Sequence, residues 1–89
     1  MPKKKLKYKC PCCGYYTFEE KPGATWDICP VCFWEDDFFQ FDDPDEDGWA
    51  NGVSLNEARE NFKKFGACRQ DIINYVRPPK EDELTGLDD

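Results

Sequence analysis

The 89 residues carry a net charge of −7, with six cysteines and no histidine; every mechanism that needs an imidazole is excluded, and any zinc or iron site must be all-thiolate. Lys3, Lys4, Lys5, Lys7 and Lys9 precede the first cysteine, which leaves residues 10–89 with seven bases against nineteen acids, about −12, a body that repels phosphate backbones. So short a chain gains only a few kcal/mol from its core and needs a staple; Cys-x-x-Cys pairs without a signal-like start favour a metal in a reducing compartment over disulfides.

The lysine-rich start reads as a solvated arm or a first strand. No apolar run follows it, and no stretch approaches the roughly 18 apolar residues of a membrane span, so a cytoplasmic protein is expected. Residues 6–18 alternate apolar and polar side chains around Cys10-Pro11-Cys12-Cys13-Gly14, which predicts a strand, a knuckle and a second strand. Pro11 sets the chain direction after the first ligand, and Gly14 can take the positive φ that turns backbone N–H groups toward sulfur. Lys21-Pro22-Gly23-Ala24 is a turn signal, and Trp26-Asp27-Ile28 leads into the second knuckle, Cys29-Pro30-Val31-Cys32. There Phe33 stands where a glycine is expected, predicting a less regular knuckle. An apron of aromatics follows: Phe33, Trp34, Phe38, Phe39 and Phe41.

Residues 42–53 form an acidic loop. Asp43, Asp45 and Asp47 occupy alternate positions of an EF-hand-like calcium loop with Asn51 at the ninth, but the twelfth is Ser54 and no helix pattern precedes, so a solvated turn is expected. Residues 54–66 carry the clearest helix: Ser54 as N-cap, Glu57 completing a capping box, Gly66 as stop, and Leu55, Ala58, Phe62 and Phe65 on one face. A short helical or extended piece is predicted from Arg69 to Val76, with Ile72, Ile73 and Tyr75 to bury, ended by Pro78-Pro79. Residues 80–89 read as a mobile acidic tail, making 1–79 the domain and 6–41 its ribbon.

The expected class is α+β: a small zinc-ribbon, rubredoxin-like β-hairpin module with one main helix packed on it. Its metal ligands are Cys10, Cys13, Cys29 and Cys32, two pairs separated by the fifteen residues Gly14 to Ile28. A hairpin of that length carries the second pair back to the first, where four thiolates close a tetrahedral shell. Zn2+ is preferred and Fe is the alternative, since four sulfurs suit either. Cys12 lies between ligands with its side chain expected away from the metal; Cys68, just after the helix, is expected as a small buried apolar residue. A closed shell leaves no position for substrate, and nothing suggests a nucleophile and base pair, so no enzyme is expected.

Cys10-Pro11-Cys12-Cys13-Gly14-Tyr15, Ile28-Cys29-Pro30-Val31-Cys32-Phe33-Trp34-Glu35-Asp36-Asp37 and Ala50-Asn51-Gly52-Val53-Ser54-Leu55-Asn56-Glu57-Ala58-Arg59 closely resemble the bacterial cysteine-rich CPCC family, over about Tyr8 to Pro79. Asp47-Gly48-Trp49 departs from that family's glycine-rich turn. The resemblance implies a zinc site and, because some members look like immunity proteins of bacterial toxin systems, a protein partner, with a toxin as one candidate. The knuckles are also similar to those of rubredoxins, which implies single-electron transfer if iron fills the site; the shorter insert and Phe33 count against iron. The leading function is thus a zinc-stapled module whose exposed aromatics and acidic surface meet a protein, with a basic protein as one candidate. An iron electron carrier comes second, and a nucleic-acid ribbon using Lys3 to Lys9 third. Neither a membrane nor a small-molecule substrate is implied.

Overall fold

The computed structural model describes residues 4–5, 7–47, 49–85 and 87–88. In chain order they form β1 (Lys4–Lys5), β2 (Tyr8–Lys9), β3 (Tyr16–Phe18), α1 (Phe38–Asp42), α2 (Leu55–Phe65), a 3-10 helix (Gln70–Tyr75), α3 (Glu81–Thr85) and β4 (Leu87–Asp88). This is an α+β arrangement of two antiparallel strand pairs, β2 with β3 and β1 with β4, together with helices. Lys3 of the basic arm lies outside the described residues.

The β2–β3 pair is the predicted hairpin, with Tyr8 opposite Phe18 and Lys9 opposite Tyr16. Helix α2 begins and ends where its capping residues place it. Ser54 Oγ accepts from the Glu57 N–H at 3.0 Å, and Gly66 takes the left-handed conformation (φ 81°) that lets its N–H reach the Phe62 carbonyl. Leu55 and Ala58 are buried, while Phe62 and Phe65 pack partly buried against the same core.

Helix α1 was not anticipated; its residues were expected to continue the ribbon's aromatic apron. Asp37 caps it, Oδ1 accepting from the Phe39 and Gln40 N–H groups at 2.8 and 3.3 Å. Trp34 is wholly buried, but Phe38, Phe39 and Phe41 remain exposed, so the apron faces both ways.

Two further expectations need correction. Of Ile72, Ile73 and Tyr75 only Ile72 is buried, because the 3-10 helix turns the others outward; Tyr75 is 69% exposed although its ring meets Phe33 at 6.0 Å. Residues 80–85 are no free tail. Glu81–Thr85 is helical, and Glu83, 1% exposed, receives both terminal nitrogens of Arg77 at 2.7 and 2.8 Å and the Lys80 N–H at 2.8 Å.

Candidate metal centre

The two knuckles are built alike. In the first, the Cys10 N–H donates to the Tyr15 carbonyl (2.8 Å) and the Gly14 N–H to the Cys10 carbonyl (2.9 Å). In the second, the Cys29 N–H donates to the Trp34 carbonyl (2.9 Å) and the Phe33 N–H to the Cys29 carbonyl (2.7 Å). Phe33 adopts φ 71° beside Gly14 at φ 81°, so the expected irregularity is absent: the phenylalanine accepts the left-handed conformation a glycine would have taken. Phe33 therefore does not distinguish the metals through knuckle geometry. Gly14 takes the expected positive φ, its own N–H closing the turn on a carbonyl, and the Cys12 N–H points at Cys10 Sγ (3.4 Å) as a backbone donor turned toward sulfur.

The hairpin and the turn after β3 bring the pairs together, so that one thiol atom from each of Cys10, Cys13, Cys29 and Cys32 lies within 4.8 Å of the others. Cys10 Sγ is 3.6 Å from Cys32 Sγ, and Cys13 Sγ is 3.8 Å from Cys29 Sγ. Sulfurs about 2.3 Å from a tetrahedral ion stand ~3.8 Å apart, so the four cysteines are placed to bind a metal ion. All six cysteines are free thiols. Cys10, Cys29 and Cys32 are buried and Cys13 partly so, leaving the cluster enclosed by protein.

Neighbouring segments fix the knuckles from both sides. Arg59 of α2 donates from Nε to the Pro11 carbonyl (2.9 Å), the Cys68 N–H to the Cys32 carbonyl (2.8 Å), and the Arg77 N–H to the Pro30 carbonyl (3.2 Å). Thr17, on β3, places Oγ1 3.1 Å from Cys29 Sγ, a contact missed from sequence although the strand alternation around Tyr16 and Phe18 located Thr17 on its own face.

Four adjacent thiols cannot all ionise unaided. Hydrogen bonds from Cys10, Cys13 and Cys32, joined by Thr17, pull Cys29 well below the ordinary thiol range. Burial first, then the bonds with Cys13 and Cys29, push Cys10 up, and the bond with Cys10 leads those that push Cys32 up. Cys13 also rises: its bond with Cys10 pulls it down, but those with Cys29 and Cys32 outweigh it. Thiols must lose their protons to ligate a divalent cation, so affinity for the ion falls as pH falls.

Cys12 is buried beside this cluster and is not one of its four members, and Cys68 is buried as expected; the Cys68 thiol is pushed up to about 12, by burial first and then by Cys12, so it packs as an inert neutral group. The acidic loop is organised differently from a calcium loop. Asn51, needed at the ninth position, is buried with Oδ1 accepting from the Glu35 N–H (2.7 Å) and Nδ2 donating to the Glu35 carbonyl and Gln40 Oε1 (both 2.9 Å). Asp43, Asp45 and Asp47 are exposed; Asp43 accepts from the Asp45 N–H and Asp45 from Asn56. Among the described residues, no helix is long and apolar enough to cross a membrane.

The family model described as Cysteine-rich CPCC matches residues 8–83, a span that contains both knuckles, α1 and α2. No curated protein matches the chain.

Proposed function

We propose, from the premise that this chain belongs to the cysteine-rich CPCC family, that it is a zinc-stapled, non-catalytic module that docks a protein partner. The convergence of Cys10, Cys13, Cys29 and Cys32 carries this reading. Four thiolates would complete a tetrahedral shell and supply folding energy, with no position left for substrate. The need is evident in the core: of the twelve buried apolar residues among those described, five are cysteines and only Phe18, Val31, Trp34, Leu55 and Ile72 are larger hydrophobes.

The surface supports the docking role. Phe39 and Trp49, each 47% exposed, stack at 4.5 Å, and Phe38 meets Phe39 edge-on at 5.6 Å. Exposed Asp42 ends α1, and exposed Asp43, Asp45, Glu46 and Asp47 lie between it and Trp49. Half-exposed rings within an acidic segment suit a basic protein, with a toxin as one candidate, because arginine can both stack and pair there. The reading places the protein in the cytoplasm. The test is capture of binding proteins by the metal-loaded chain and by a Phe39→Ser/Trp49→Ser variant of unchanged melting temperature. A basic protein retained by the first and lost by the second is expected; equal retention would contradict the assignment.

A further inference from the structure

On the side of the molecule that carries the first knuckle, a groove of about 660 Å³ runs between β2, β3, the turn at Lys21 and the helices α1 and α2. Lys9, Lys21 and Arg59 line it together with the rings of Tyr8, Tyr16 and Phe41, and no carboxylate is among its lining residues. This is unexpected on a chain with 19 acids and 12 bases. Four bases elsewhere are matched to acids: Lys7 to Asp82 and Glu83, Lys63 to Glu60, Arg69 to Asp71, and Arg77 to Glu83. Among the described residues, none of the three groove cations has a carboxylate within ion-pair distance.

Two of the cations are also held in place. Arg59 is fixed by bonds to the Pro11 carbonyl (2.9 Å) and Asn56 Oδ1 (3.0 Å), and the Lys9 ammonium stands 5.7 Å from the centre of the Tyr16 ring. Cations without a carboxylate partner, lining a cleft of ligand size together with aromatic rings, recognise an anion that carries a flat ring.

We infer that this groove binds a nucleotide, its phosphate against Lys9, Lys21 and Arg59 and its base against the rings of Tyr8, Tyr16 and Phe41, either free or as one residue of a single strand. The acidity of residues 10–89 disfavours a long polyanion, so the free nucleotide is the expected form.

The metal-loaded full chain is titrated calorimetrically with adenosine 5′-monophosphate, adenosine, inorganic phosphate and a short oligothymidylate. The monophosphate is expected to bind saturably and about tenfold more tightly than adenosine or phosphate alone, since each lacks half of the recognised chemistry. Lys21→Glu and Lys9→Gln, exposed positions outside the metal shell, weaken it about tenfold each while the metal content and melting temperature stay at wild-type values. Tighter binding of the oligothymidylate with a steeper salt dependence identifies a strand as the source; weaker binding identifies the free nucleotide. Absence of saturable binding by both phosphorylated ligands at millimolar concentration, an affinity indifferent to Lys21→Glu and Lys9→Gln, or displacement of the nucleotide by an acidic peptide of equal affinity would overturn the proposal.

Discussion

Gly14 and Phe33 hold the same backbone conformation in the two knuckles, which separates the cost of the conformation from the cost of the side chain. A Cβ at Gly14 would meet nothing within 4 Å, so only its φ of 81° opposes substitution. Gly14→Ala is therefore expected to cost about 1 kcal/mol, without loss of metal stoichiometry, measured by denaturant unfolding of the loaded protein. A cost near zero would mean that the turn relaxes to another conformation. At Phe33 the same strain is accepted, and its ring packs against the core and meets Tyr75.

Glu35, Asp36 and Asp37 are three consecutive acids, yet each is tied into the fold, Glu35 by its backbone and the two aspartates by their carboxylates. Glu35 is clasped by Asn51; Asp36 accepts the Gly23 and Thr25 N–H groups at 2.7 and 2.9 Å; Asp37 caps α1 and also accepts the Ala50 N–H at 3.1 Å. Asp37→Ala removes three acceptor bonds from a buried position and is expected to destabilise the protein by about 2 kcal/mol, read from chemical unfolding. A change under about 0.5 kcal/mol would show that the cap contributes nothing.

The C-terminal element depends on the Arg77–Glu83 pair. Its guanidinium, ahead of the other contacts, holds Glu83 at about 2 against an ordinary 4.5. A depressed carboxylate stabilises above its unfolded value and loses that contribution as pH falls through the folded value, so the window runs from about 4.5 down to about 2. The gap in unfolding free energy between wild type and Glu83→Gln is expected to be about 2 kcal/mol and flat from pH 8 to 5, then to narrow below 4.5, with the partial exposure of Arg77 discounted. A gap that changes between pH 8 and 6 would exclude Glu83 as its source.

At the scale of the molecule, what was legible in the sequence is what local chemistry decides. The Cys-x-x-Cys spacing, the Ser54 cap, the Gly66 stop and the stripe from Leu55 to Phe65 each announce an element within one or two turns of chain. Helix α1 escaped because Phe38, Phe39 and Phe41 face outward, so no apolar stripe marks it, although Asp37 ahead of an apolar run was a start signal. The Glu83 anchor escaped because an acid in an acidic segment reads as solvated until its partner, six residues earlier, is folded beside it. The regular second knuckle escaped because a phenylalanine at positive φ contradicts the usual preference.

Three of the four cluster cysteines, Cys10, Cys29 and Cys32, belong to a core with only five large hydrophobes, so on the proposed reading the fold depends on the ion that the cluster would enclose. Native mass spectrometry of the purified chain, followed by circular dichroism before and after chelation, tests this most directly. One zinc per chain and cooperative loss of structure on its removal, restored by adding zinc back, is the predicted result. A metal-free chain whose spectrum and melting profile ignore the chelator would contradict it, and red protein with one iron per chain would replace the zinc assignment by electron transfer.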